Sequence, residues 1–146
     1  KEDITGNVSY DGDNHEKMCR IREEKINRIA NIIPKQEVFG KEKGDLLVVG
    51  WGGTHGSLYS AVEKLQKEGL NISLSQFNYI NPLPKNTAEI LNNFKKIVVC
   101  ELNNGQFVNY LRMKNQGVIF NQYNKLQGLP FTTSELEDYF KTLLKN

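Results

Sequence analysis

The chain has 146 residues, of which 38% are hydrophobic and 25% charged, the balance of an ordinary globular domain. Its 19 basic and 17 acidic residues leave a net charge of +2 and interleave along the chain, so no nucleic-acid footprint forms. No apolar run approaches the roughly 18 residues that a spanning helix needs, which argues against a membrane protein.

The chain starts Lys1-Glu2-Asp3 without a methionine and stays polar for its first 17 residues. That start carries no signal peptide and is expected of a fragment or a processed product. Gly6, Gly12 and several Asp and Asn residues keep residues 1–13 irregular. Asn14 can cap a helix, with Lys17 where a Glu would be ideal. Met18, Ile21, Ile26, Ile29 and Ile33 then recur at mostly helical spacing and predict an amphipathic helix of about five turns, stopped by Pro34. Its other face, with Arg20, Arg22, Glu23, Glu24, Lys25 and Arg28, reads as solvated. The helix is expected to strap across the domain or against a neighbour. Residues 35–44 are a polar linker, which sets off an arm at 1–44 from a domain at 45–146.

From there strand and helix patterns alternate. Leu46–Gly50 is a continuous apolar run, as in a strand covered on both faces. Gly56–Gly69 is a helix through Leu58, Ala61, Val62 and Leu65, stopped by Gly69. Ile72–Phe77 is a strand with Ile72, Leu74 and partly Phe77 inward. Asn86–Phe94 is a short helix, Ile97–Cys100 a strand, Gly105–Lys114 a helix and Val118–Phe120 a short strand. Thr133–Leu144 closes the chain as a helix with Thr132 or Thr133 as cap and Glu135 in its first turn. Four strand–helix alternations with short connections require right-handed crossovers and a parallel sheet, an α/β fold.

Cys19 and Cys100 stand 81 positions apart with no CxxC. This argues against a disulfide framework and against a zinc or iron–sulfur site, and it fits a reducing cytoplasm. Cys100, in an apolar strand, reads as a small buried hydrophobe.

Gly50-Trp51-Gly52-Gly53-Thr54-His55-Gly56 joins the first strand to the first helix. Gly50, Gly52, Gly53, Thr54, His55 and Gly56 form a possible anion or ligand loop at a helix N-terminus. The GxGxxG spacing fails by one position, Asn78 replaces the acid expected about 20 residues on, and there is no GK[ST]. A turn needed for packing or for an interdomain surface fits better. His55 has no second ligand at metal spacing, which favours a polar cap or interface role, and His15 sits in the polar arm. Cys100 and Glu101 with His55 do not make a hydrolase triad, because Val98 and Leu102 stand where a nucleophile elbow needs glycine. Glu101, at a strand end, is open to two readings: a general acid or base, or a carboxylate bonded to the next loop or to a neighbouring domain. Asn81-Pro82-Leu83-Pro84 fixes a stiff polar turn.

Four stretches taken in order resemble one family. They are Leu47-Val48-Val49-Gly50-Trp51-Gly52, Asn81-Pro82-Leu83-Pro84, Glu101-Leu102-Asn103-Asn104-Gly105-Gln106 and Gly128-Leu129-Pro130-Phe131. They look like the C-terminal part of the α subunit of 2-oxoacid:ferredoxin oxidoreductases, the 2-oxoglutarate type in particular. The arm agrees through Gly6-Asn7-Val8-Ser9-Tyr10-Asp11 and Asn14-His15-Glu16-Lys17-Met18. The resemblance implies a transketolase C-terminal-like domain, a three-layer α/β/α sandwich with a mainly parallel sheet. It implies a cytoplasmic complex that converts 2-oxoglutarate and coenzyme A to succinyl-CoA and carbon dioxide and reduces ferredoxin. Thiamine diphosphate, Mg and an iron–sulfur cluster would serve that complex from other domains or from the β subunit. This stretch lacks a Gly-Asp-Gly motif and cluster cysteines, so no catalytic residue and no metal site is expected in it, and alone it should be inactive. Asn81, Glu101, Asn103, Asn104 and Gln106 are expected to line the face that packs on the catalytic domains. The same role in a pyruvate or other 2-oxoacid enzyme, and a free-standing nucleotide- or phosphate-binding module, remain the alternatives.

Overall fold

Leu46, Leu47, Val48 and Val49 have no exposure at all, because the strand that holds them is central and covered on both faces. The structure is a computed structural model describing residues 1–145. The arm carries α1 (Gly12–Arg28) and a 3-10 turn at Ile29–Asn31. There follow β1 (Gly44–Trp51), a 3-10 turn at Gly52–Thr54, α2 (His55–Lys67), β2 (Ile72–Phe77) and α3 (Thr87–Asn92). The last elements are β3 (Phe94–Glu101), α4 (Gln106–Lys114), β4 (Asn121–Asn124) and α5 (Thr133–Lys145).

The sheet order is β2-β1-β3-β4, and all three pairings are parallel. Alternating side chains of the strands feed two cores. Leu46, Val48, Leu74, Val98 and Cys100 meet α2 (Leu58, Ala61, Val62, Leu65) and α5 (Leu136, Phe140) on one face. Leu47, Val49, Phe77, Ile97 and Val99 meet α3 (Ile90, Leu91) and α4 (Phe107, Val108, Leu111) on the other. Each buried Val, Leu, Ile or Phe among them stabilises the fold by about 1.5–3 kcal/mol relative to exposure. This is a three-layer α/β/α sandwich, and Phe77 lies on the face opposite Ile72 and Leu74.

The ends of the elements follow local chemistry. Gly69, at φ 86°, ends α2: its N–H reaches the Gln66 carbonyl at 2.9 Å and that of Leu70 reaches Leu65 at 3.1 Å, a Schellman closure. Thr132 caps α5 in a reciprocal capping box: Glu135 N–H donates to Thr132 Oγ1 at 3.3 Å and Thr132 N–H to Glu135 Oε1 at 3.1 Å.

Four expectations shift. Asp11, not Asn14, caps α1, accepting from Asp13 N–H at 3.1 Å, while Asn14 donates its side-chain amide to the Lys1 carbonyl. The helix ends at Arg28 and buries no residue, so it does not strap the domain. Phe94 opens β3 and pairs with Gly44 instead of ending a helix, because its ring is wanted in the second core. The last strand is Asn121–Asn124, not Val118–Phe120. Phe120 buries its ring below the strand and Ile119 points to solvent, while the ladder follows the register of Val98–Glu101.

The linker is part of the sheet's edge. Phe39 and Leu74 exchange N–H···O bonds of 2.8 and 3.0 Å, and the hydroxyls of Ser73 and Ser75 donate to the carbonyls of Lys41 and Glu37. That strap covers an edge which would otherwise present unpaired backbone groups. No helix among the described residues is long and apolar enough to cross a membrane.

Candidate functional site

From β1 the chain moves outward to β2, then crosses back over β1 to β3, so the topological switch point lies between the carboxyl ends of β1 and β3. Crevices at that position are where open α/β sheets receive ligands and partners. Here the crevice is about 220 Å³ and is lined by Trp51, Gly52, Gly53, Thr54, Leu102 and Asn103.

Glu101, which precedes the lining residue Leu102 in the chain, has no exposure and bonds the indole of the lining residue Trp51. Glu101 Oε1 accepts from Trp51 Nε1 at 3.1 Å and from Phe107 N–H at 2.8 Å. Oε2 accepts from Val108 N–H at 3.0 Å. A buried carboxylate is tolerated only when its lone pairs are met, and the positive end of α4 supplies two of the three donors here. Asn103 Oδ1 takes the next two, Gly105 N–H at 2.8 Å and Gln106 N–H at 3.0 Å. Gly105 sits at φ 86°, the left-handed turn that aims these N–H groups inward. The free donors of α4 are thus consumed by the protein's own side chains, and that helix end offers nothing to an outside anion.

The glycine loop is built for packing at its start and is open further on. A Cβ on Gly50 would crowd the side chain of Leu58 and stand 2.7 Å from Gln76 Oε1 and 2.9 Å from Thr54 Oγ1. Thr54 is buried; its hydroxyl accepts from Trp51 N–H at 3.2 Å and donates to the Trp51 carbonyl at 2.9 Å. Gln76 Nε2 holds the Gly52 carbonyl at 3.2 Å. Gly52, Gly53, His55 and Gly56 are exposed. The His55 ring lies 5.9 Å from that of Tyr59. A larger hollow of about 540 Å³ beside this loop is lined by Gly52, His55, Gln76, Asn78 and the Glu37–Phe39 strap. It holds one carboxylate and no Lys or Arg, which is poor chemistry for a phosphate.

The structure therefore brings Glu101, Asn103 and the Gly50–Gly56 loop together at one edge. Asn104 and Gln106 are exposed beside them. Asn81 is exposed on the flank, its Oδ1 accepting from Tyr110 Oη at 3.1 Å, which ties its turn to α4. Three residues at this edge carried no sequence assignment: Trp51, whose indole reaches Glu101; Tyr110; and Leu102, which is 39% exposed. An apolar residue between Glu101 and Asn103 in a polar turn is the signal that marks Leu102.

Cys100 is fully buried, and burial with the neighbouring Glu101 charge pushes its thiol far up, so it is no nucleophile. Among the described residues no three His, Cys, Asp or Glu side chains gather in a metal-holding group. With two separate cysteines and no such group, the donor set does not fit a magnesium diphosphate or an iron–sulfur cluster.

Residues 44–136 match the family described as pyruvate:ferredoxin oxidoreductase core domain II. A curated relative, 2-oxoglutarate oxidoreductase subunit KorA of Mycobacterium tuberculosis, is 33% identical over 142 residues, 96% of this chain and 21% of the relative. A solved 2-oxoglutarate:ferredoxin oxidoreductase from Magnetococcus marinus, with 2-oxoglutarate, coenzyme A and succinyl-CoA bound, superposes with a TM-score of 0.89 at 28% identity. That match covers 98% of this chain and 25% of the other. An inactive split-gene transketolase tetramer shares the fold, with a TM-score of 0.54 at 13% identity over 73% of this chain and 43% of its own. The chain thus spans about a fifth to a quarter of the length of the oxidoreductase chains just named. With that architecture and that match, the chain belongs to the pyruvate:ferredoxin oxidoreductase core domain II family.

Proposed function

We propose that this chain is a non-catalytic domain of the α subunit of a 2-oxoglutarate:ferredoxin oxidoreductase, which packs on the catalytic domains and shapes their assembly. The arm, residues 1–44, and the α/β domain, residues 45–146, are its two parts. The reaction of the whole enzyme is 2-oxoglutarate, coenzyme A and oxidised ferredoxin to succinyl-CoA, carbon dioxide and reduced ferredoxin. Thiamine diphosphate, Mg and an iron–sulfur cluster belong to the rest of that complex, which includes the β subunit and works in the cytoplasm.

One observation carries the reading. The switch-point crevice is closed from within by the Trp51–Glu101 bond, and the N–H donors of α4 are spent on Glu101 and Asn103. An edge built this way presents a fixed shape and keeps no reactive group free. What it offers outward is Leu102 beside Asn104 and Gln106, an apolar residue next to hydrogen-bonding ones, the make-up of a subunit or interdomain contact. The 2-oxoglutarate preference rests on the KorA and Magnetococcus likenesses. The glycine loop does not favour a nucleotide, since Gly50 is packed shut and the hollow beside the loop lacks a cation.

The test is co-purification of the β subunit with full-length α subunit, wild type against Leu102→Asp/Gln106→Ala, with 2-oxoglutarate-dependent ferredoxin reduction on the same samples. Loss of assembly or activity with an unchanged circular dichroism spectrum supports the reading. Full assembly and activity would remove this edge from the interface.

A further inference from the structure

Residues 1–35 are chemically separate from the domain that follows them. Among the described residues, their hydrogen bonds and ion pairs all end within the same stretch. Arg20 pairs with Glu16, Arg28 with Glu24 at 3.2 Å, and Asn14 with the Lys1 carbonyl at 3.1 Å. The first bond outward is Gln36 N–H to Asn86 Oδ1, at 2.8 Å. The 17 residues of α1 include none that is buried. Helices in proteins draw most of their stability from packing an apolar face, and α1 has no such packing among the described residues. Yet the superposition on the Magnetococcus enzyme covers 98% of the chain at a TM-score of 0.89, so it extends through the arm. The arm keeps its place relative to the domain in a relative whose matched segment is a quarter of its chain, which points to a support outside that quarter.

The surface of α1 says what would hold it. Met18, Ile21, Arg22, Lys25 and Ile29 share one side of the helix, linked by steps of three and four such as 18–21–25–29 and 18–22–25. Arg20 and Arg28 have carboxylate partners on their own helix, but Arg22 and Lys25 have none among the described residues. Two cations without a carboxylate partner thus stand on the same side as three apolar residues, between Ile21 and Ile29. The helix as a whole carries four acids against five bases, too balanced for an anionic membrane surface.

We propose that α1 is a docking helix that seats the side bearing Met18, Ile21 and Ile29 in an apolar groove, with carboxylates set to meet Arg22 and Lys25, on the remaining domains of its own subunit. The proposal rests on reading the chain as one part of a longer subunit. Amide hydrogen exchange on the full-length subunit tests it. The α1 amides should exchange at least about 100-fold slower than an unstructured chain. Met18→Glu/Ile21→Glu should erase most of that protection while the β1 and β3 amides stay protected. Arg22→Glu/Lys25→Glu, which leaves every apolar contact in place, should weaken it as well. Unprotected α1 amides in the wild type overturn the proposal, as does protection that survives both variants, falls on dilution to monomer or needs lipid vesicles. Ferredoxin reduction is assayed separately. Absent activity with α1 still protected removes the enzymatic reading and supports the docking.

Discussion

The indole of Trp51, at the end of β1, donates to the carboxylate of Glu101, at the end of β3, across 3.1 Å. The bond spans the switch point of the sheet and fixes Trp51, one wall of its crevice. Glu101 also holds the first turn of α4 through Phe107 and Val108, so strand, loop and helix share one acceptor. Glu101→Gln keeps the shape but turns a donor amide toward N–H groups that are already donors. A loss of about 2–4 kcal/mol follows from the stranded, buried donors. Trp51→Phe removes one donor and should cost about 1–2 kcal/mol. Because both changes act on one oxygen, the double variant should fall short of the sum. Urea denaturation of the four proteins measures the cycle, and strict additivity would deny the shared bond.

The glycines of the loop separate by cause. Gly50→Ala should destabilise by about 1–3 kcal/mol through overpacking against Leu58, Thr54 and Gln76. Gly52→Ala meets open space but keeps a φ of 58°, so about 1 kcal/mol is expected from backbone strain alone. Denaturation midpoints that rank Gly50 above Gly52 support the packing role. The reverse ranking would return the loop to a ligand-binding reading.

Much of this was legible in the residues. The strand Ile72–Phe77 was expected with its bounds as found, because Gly69 and Asn78 punctuate an apolar run. The sheet's parallel order followed from the alternation of elements. What escaped was decided by tertiary contact. β4 is polar except for Tyr123 and is a strand because it fills the open side of Val98–Glu101. The linker's role as an edge strap depends on Ser73 and Ser75, which a hydropathy pattern reads as weak strand positions. At the site, the turn Glu101–Gln106 stood out by its composition. That Glu101 points inward to three N–H donors depends on the left-handed turn at Gly105, which only the fold shows.

The acid limb of stability should carry the signature of Glu135. The Lys125 ammonium, 2.8 and 3.1 Å from its two oxygens, holds this carboxyl below its ordinary value of 4.5, with help from Thr132 N–H and against a smaller effect of burial. A lowered pKa in the folded state means that the stabilisation is complete above the ordinary value. It is lost as pH falls through the folded value. Melting temperature should therefore drop on acidification below about pH 5, and Glu135→Gln should flatten that drop while lowering stability at pH 7. An unchanged acid limb in the variant would show that other carboxylates control it.

The two thiols should behave oppositely. Cys19 is exposed on α1, whereas Cys100 is buried between β1 and β4 with its thiol pushed far up. A disulfide reagent at pH 8 should modify one thiol of the native 146-residue chain at once and the second only after urea is added. Peptide mapping should place the early label on Cys19. Rapid native labelling of Cys100 would mean that the sheet opens at β4.

Arg112 decides how firmly β4 is held. It donates to Gln122 Oε1 at 2.9 Å, to Asn109 Oδ1 at 3.0 Å and to the Phe120 carbonyl at 3.2 Å, from α4 across to the strand and the residue before it. β4 is an edge strand with no fully buried side chain, and its packing rests on Tyr123, stacked between Tyr139 and Phe131. Arg112→Met keeps the aliphatic stem and removes the guanidinium fork. About 1–2 kcal/mol of local stability should go with it. The amides of 121–124 should then exchange about tenfold faster, while those of β1 and the inner half of β3 hold their rates. Uniform acceleration across the sheet would instead make Arg112 a determinant of global folding, and no change would leave Tyr139, 3.4 Å from the Gln122 carbonyl, as the contact that pins the edge.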